Sequence, residues 1–248
     1  MHWTIRPLWI GTLQRKRMSF LYTVGGPEPL SVPVTAYLLE SGDTHVLVDT
    51  GCDDPETAYP DHHPFEKKPE QNILATISAA GVDPQTIHLI ICTHLHWDHC
   101  YGNDQFPQAR FVVQKAELRY AVAPLPWHAG SYDSFLIGRK PPWARTRFEV
   151  IDGDRELLPG LGVMLTPGHT PGLQTVVVQA ESGRYVLPSD NVPLYDNWEG
   201  KPPRWPHIPD THHYSLAEYF ETFGRLESLG GRLLPPHDFR VFDKGIYR

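Results

Sequence analysis

Short apolar runs rich in Val, Ile and Leu recur along the chain, separated by Gly, Pro and Asp. They are VTAYLLE (34–40), HVLVD (45–49), HLIICT (88–93), RFVVQ (110–114), GVMLT (162–166), TVVVQA (175–180) and RYVLP (184–188). Runs of this length with β-branched residues predict strands, several of them buried on both faces. Helical spacing lies between them. In PEQNILATISAAG (69–81), Ile73, Leu74 and Ile77 share one stripe and Gly81 closes the segment. QKAELRYAV (114–122) predicts a short helix, and SLAEYFETFGRLESLGG (215–231) one that starts on the N-cap Ser215 and stops at Gly230–Gly231. Strands in two batches with helices among them predict an α/β fold, two sheets packed together and covered by helices. No linker, composition shift or repeat divides the 248 residues, so 1–248 is expected to form a single domain.

Three segments fit no element: 53–70, 123–147 and 191–214, all rich in Pro and two of them also in aromatics. Four of the seven tryptophans (Trp127, Trp143, Trp198 and Trp205) lie in the last two. Solvated loops seldom spend tryptophan, so these segments are expected to cover a pocket.

Charge narrows the partners. The net charge is −7 and Lys and Arg are scattered, which excludes a nucleic-acid binder with a basic face and leaves a small molecule as the expected partner. The densest basic run, Arg15-Lys16-Arg17, reads as a solvated turn. No apolar segment approaches the roughly 20 residues that span a bilayer, and the N-terminus lacks the charged-then-apolar order of a signal peptide. Three cysteines without framework spacing suit a reducing cytoplasm. Cys92 flanks an apolar run and reads as core, whereas Cys100 directly follows a histidine cluster and is a candidate for the site wall.

That cluster is ICTHLHWDHCYGN (91–103), in which His94, His96, Asp98 and His99 follow a strand. Imidazoles at i and i+2 converge on one ion if the loop curls, and the next carboxylate and imidazole then face a second. Three more strand ends add one ligand each: His169 in LTPGHTPG, Asp190 in YVLPSDNV and His237 in LLPPHDF. Neutral imidazole with carboxylate suits Zn²⁺, Fe²⁺, Mn²⁺ or Co²⁺. The set gives two ions about four protein ligands each, with room for a bridging water.

This order of ligands resembles the metallo-β-lactamase superfamily, and VLVDTG (46–51) looks like its early strand-turn. The resemblance spans nearly the whole chain. It implies an αβ/βα four-layer sandwich with a dinuclear site at one edge, most simply two zinc ions. By the same resemblance His94, His96 and His169 hold one metal, Asp98, His99 and His237 the other, and Asp190 bridges. Asp49 and Thr170 are then candidates to orient ligand imidazoles.

Within the superfamily the chain is similar to the N-acyl-homoserine lactonases and pyridoxolactonase, in VTAYLLESGDTHVLVDTG, ISAAGVDPQTIHLIICTHLHWDHCYGN and VIDGDRELLPGLGVMLTPGHTPG. The implied reaction is opening of a lactone or similar ester by a hydroxide shared between the metals, with Asp98 as the catalytic proton carrier. The chain departs from the quorum-signal lactonases beside the reacting centre. Their tyrosine three residues after the bridging aspartate is Pro193 here, and a usually small pair is Cys100-Tyr101. Tyr195, Tyr101, Cys100, Trp127 and Trp198 are therefore the candidate substrate-pocket residues, and the tryptophan-rich loops point to an aromatic ester or lactone. The alternatives are a thioesterase or amide hydrolase on the same dinuclear site, and a mononuclear-iron oxidoreductase like the persulfide dioxygenases. The ligand pattern sets no oligomeric state. Of the other histidines, His62-His63 and His212-His213 sit in expected pocket loops.

Overall fold

The computed structural model describes residues 2–58 and 62–248; positions 59–61 of the expected 53–70 loop lie outside them. Twelve strands are present among the described residues: β1 (Thr4–Lys16), β2 (Pro29–Ser41), β3 (Thr44–Val48), β4 (Phe65–Glu66), β5 (Ile87–Ile91), β6 (Arg110–Gln114), β7 (Phe148–Ile151), β8 (Arg155–Leu158), β9 (Leu161–Leu165), β10 (Gln174–Ala180), β11 (Gly183–Leu187) and β12 (Arg232–Leu233). The helices are α1 (Arg17–Phe20), α2 (Ile73–Ala79), α3 (Trp97–Cys100), α4 (Lys115–Val122), α5 (Tyr195–Glu199) and α6 (Leu216–Leu229). The strands form a seven-stranded sheet in the order β4-β1-β2-β3-β5-β6-β7 and a five-stranded sheet in the order β12-β11-β10-β9-β8. Both are mixed: β3, β5, β6 and β7 run parallel, β12 is parallel to β11, and the remaining pairs are antiparallel.

Alternation along the strands builds the layers. In β3, Val46 and Val48 face the second sheet while Leu47 faces the helices that cover the first. Val46 and Val48 meet Val163, Val176, Val178 and Leu187 in one buried cluster between the sheets. On the outer face of the first sheet, Ile73 and Ile77 of α2 pack with Leu38, Leu47 and Ile90. On the outer face of the second, Tyr219, Phe223 and Leu226 of α6 pack against Met164 and Val186. Each fully buried aliphatic side chain contributes about 1.5–3 kcal/mol, so double-faced burial of these strands dominates the stability. The result is helix, sheet, sheet, helix. Ser215 caps α6 as its sequence predicts, accepting a bond from Glu218 N at 3.3 Å.

Two expectations about the chain's edges need correction. The run Arg15-Lys16-Arg17 is no solvated turn: Arg15 and Lys16 end the thirteen-residue strand β1, and Arg17 opens α1. The segment 191–214 is not structureless, since it holds α5. Among the described residues no helix is long and apolar enough to cross a membrane.

Candidate metal centre

Four strand ends deliver the seven residues to one edge of the sandwich. β5 ends at Ile91, and His94, His96, Asp98 and His99 follow in a loop that turns into α3. His169 follows β9, Asp190 follows β11 and His237 follows β12. The side chains converge. His96 Nδ1 lies 3.2 Å from His169 Nε2. Asp190 Oδ2 lies 3.5 Å from His169 Nε2 and 4.0 Å from His94 Nε2, while its Oδ1 lies 3.3 Å from both His99 Nε2 and His237 Nε2. Asp98 Oδ2 is 3.9 Å from each of those last two nitrogens. Potential ligand atoms fall into three close groups: His94–His96–His169, His94–His99–Asp190 and Asp98–His99–His237.

The packing behind the imidazoles fixes which nitrogen faces inward. Asp49 Oδ2 accepts from His99 Nδ1 at 2.8 Å, and the same carboxylate accepts from Thr93 N at 2.8 Å and Thr93 Oγ1 at 2.7 Å. The backbone carbonyl of Pro33 in β2 accepts from His237 Nδ1 at 2.8 Å. Asp210 Oδ2 stands 3.4 Å from His169 Nδ1, and Asn191 Oδ1 accepts from His169 N at 3.1 Å. Asp49 and Ser189, two non-glycine residues with positive φ (60° and 50°), both border the site. Such conformations persist where surrounding contacts hold them; here Ser189 Oγ donates to Thr93 Oγ1 at 2.8 Å.

Thr170 does something other than orient an imidazole. Its hydroxyl donates to Glu117 Oε2 at 2.5 Å, and Glu117 Oε1 accepts from Leu95 N at 3.0 Å and from Tyr132 Oη at 2.9 Å. The fully buried Glu117 of α4 thus ties the histidine loop, the His169 turn and the 123–147 segment together. Gly172 permits this approach: a Cβ there would meet Glu117 N at 1.9 Å.

The residues fit divalent cations on three observations. His94 Nε2, His99 Nε2 and Asp190 Oδ1 are buried without a hydrogen-bond partner, a costly state for polar atoms. Burial, then the neighbouring imidazoles, hold His94 and His96 well below the ordinary histidine range, hence in the neutral form that ligates. Burial also opposes charge on His99 and His237, yet Asp190 and Asp98 outweigh it and raise both, so the pocket favours positive charge among its carboxylates. Imidazole nitrogens and carboxylate oxygens without thiolate make up the donor set of Zn²⁺ and similar ions.

A cavity of about 290 Å³ opens onto this centre, lined by His96, Asp98, His169, Asp190 and His237 on the ligand side. Of the expected pocket residues, only Trp127 reaches it, at the mouth and 88% exposed. Cys100 is buried beneath the motif, its thiol donating to His96 O at 3.3 Å, because α3 turns it into the core. Tyr101 points the other way, into a separate surface groove with Arg139 and Pro141. Tyr195 opens α5 facing away from the cavity: its hydroxyl donates to Leu233 O at 3.1 Å and Arg240 covers its ring. Trp198 stacks on His207 at 4.2 Å and packs against Phe223. Arg15, Phe20, His62, His63, Trp97, Asp210 and His212 form much of the wall instead. His62, His63 and His212 were signalled as members of histidine pairs in the 53–70 and 191–214 loops; Asp210 shares the second loop without a motif of its own, and Arg15 carried no signal.

Comparison with known proteins agrees with this geometry. A family model described as the metallo-beta-lactamase superfamily matches residues 31–237. An N-acyl homoserine lactonase of Bacillus cereus is 30% identical over 215 residues, covering 81% of each chain. The crystal structure of a B. thuringiensis AiiA mutant with N-decanoyl-L-homoserine bound at the active site superposes with a TM-score of 0.79 at 23% identity, covering 98% of this chain and 97% of that one. AidC, a dizinc quorum-quenching lactonase in complex with a product, matches with a TM-score of 0.73 at 16% identity over 98% and 89% of the two chains. The chain belongs to the metallo-beta-lactamase superfamily.

Proposed function

We propose that the chain is a dinuclear metal-dependent hydrolase that opens a lactone or similar ester, folded as one domain. The observation that carries this is the convergence of seven imidazole and carboxylate side chains, five of them with a buried atom that lacks a hydrogen-bond partner, at the floor of a small-molecule cavity. The 30% identity to an N-acyl homoserine lactonase supports the bond type. His94, His96 and His169 would hold one ion and Asp98, His99 and His237 the other, with Asp190 presenting an oxygen to each group. Zinc is the favoured metal, in line with the donor set and the dizinc relative. When bound, such a pair supplies hydroxide at neutral pH and polarises a carbonyl. The assembled Asp98–His99–His237 group supports two ions over a mononuclear redox centre.

The chain's own residues do the rest. Asp98 lines the cavity beside the other candidate ligands, so its carboxylate would take up the nucleophile's proton and pass it to the leaving alkoxide. Asp49, Asp210 and the Pro33 carbonyl hold three imidazoles in orientation, so little reorganisation accompanies reaction. Leu13, Phe20 and Trp97 exclude bulk water from one wall.

A substrate panel tests the reading: phthalide, N-hexanoyl-homoserine lactone, p-nitrophenyl acetate and S-lactoylglutathione. The oxygen esters are expected to exceed the thioester in kcat/KM by about tenfold or more, and Asp98→Asn to lower kcat by about 10²–10⁴-fold. A clear thioester preference would replace lactone opening with thioester cleavage.

A further inference from the structure

Among the described residues Arg15 is the one Lys or Arg lining the cavity, in a protein whose overall charge is negative. A β-bulge puts it there. The pairing of β1 with β2 shifts between Trp9 and Gly11, so Ile10 is an extra residue and the side-chain alternation slips by one. Leu8 and Ile10 face the helix side before the shift; Leu13 and Arg15 face the cavity after it. Without the bulge, Gln14 and Lys16 would occupy that face. The guanidinium stands 5.4 Å over the Phe20 ring, whose centroid lies 5.9 Å from that of His237. It is therefore held one side chain away from the candidate ligands. Its Nε is buried without a hydrogen-bond partner, and no carboxylate of the described residues pairs with it. A partly buried, unpaired guanidinium is unfavourable by itself, and a planar bidentate anion is its natural complement.

We propose that Arg15 is a specificity residue that reads a carboxylate on the substrate, so that the preferred substrate is an acidic, aryl-bearing lactone or ester. This rests on the lactone reading above and extends it to substrate class. The aryl part follows from the remaining wall: Phe20, Trp97 stacked on His62 at 4.1 Å, and Trp127 at the mouth. Charge agrees with it. Asp98 and Asp190 would be engaged by the two cations; Asp210, the carboxylate that acts most strongly on Arg15 from a distance, stands 3.4 Å from His169 Nδ1 and makes no ion pair with the guanidinium, which leaves the Arg15 nitrogens open to a substrate anion.

The test compares 5-carboxyphthalide with its neutral isostere, phthalide-5-carboxamide, using the metal-loaded protein. The wild type is expected to favour the acid by tenfold or more in kcat/KM, mainly through KM. In Arg15→Gln that ratio is expected to collapse towards one, and in Arg15→Lys to recover in part. Calorimetry supplies a readout independent of turnover: benzenesulfonate, an anion that ligates divalent metals weakly, should bind the wild type at least tenfold more tightly than Arg15→Gln. Equal use of acid and amide by the wild type, or an unchanged ratio in Arg15→Gln, overturns the proposal. Arg15-dependent sulfonate binding without hydrolysis of either lactone would sink the lactone reading and leave anion recognition standing.

Discussion

His99 is gripped from behind by Asp49, which leaves its Nε2 directed at Asp190, 3.3 Å away. An imidazole so held is in the right tautomer before a metal arrives, and loss of the grip typically weakens metal binding by about 10–100-fold. Asp49→Asn is accordingly expected to raise the dissociation constant of one of two ions by that factor, measured by competition with a chelating dye, with the other ion little affected. The residues that converge on the candidate centre were legible because each sits in a short motif at a strand end. Of the residues that shape the pocket, only Trp127 and the loop histidines were. Cys100, Tyr101, Tyr195 and Trp198 lie beside the right positions in sequence, but α3 and α5 turn them away from the cavity. Adjacency along the chain says nothing of direction when a single helical turn intervenes.

At the scale of the element, Glu117 shows how α4 holds the site without touching it. Three hydrogen bonds from separate segments end on its carboxylate. Burial, opposed by the bonds from Thr170, Leu95 and Tyr132, raises its pKa. Glu117→Ala strands those donors and is expected to destabilise the fold by about 3–5 kcal/mol, seen as a drop in Tm. Glu117→Gln keeps the shape and removes the charge. Because the folded state holds this proton more tightly than the unfolded chain, wild-type stability falls as pH rises above the ordinary glutamate range. The Tm of Glu117→Gln relative to wild type should therefore improve as pH rises from about 4, and level off once Glu117 is ionised in the folded state as well. A flat difference would mean that ionised Glu117 carries no penalty in the fold.

The strands were read wherever two-sided burial made a continuous apolar run, as in β3 and β10. β1 escaped because Pro7, Gly11 and a bulge break its alternation; with it went the place of Arg15. Which face a residue takes after a bulge depends on pairing with β2, a contact that no local pattern encodes.

For the whole molecule, the site joins loops from both sheets, so a metal that binds only the folded chain stabilises all of it. At free metal about 100-fold above its dissociation constant the linkage amounts to about 2.7 kcal/mol, equivalent to roughly 5–10 °C in a protein of this size. Chelation is expected to lower Tm by about that much, and added Zn²⁺ to restore it. The central claim is two divalent ions at one hydrolytic site. It is tested most directly by elemental analysis of the purified protein together with lactone ring opening on the same sample. Two metal equivalents per chain, falling in both His169→Ala and His237→Ala along with hydrolysis, is the expected result. One iron per chain and no ester hydrolysis would contradict it.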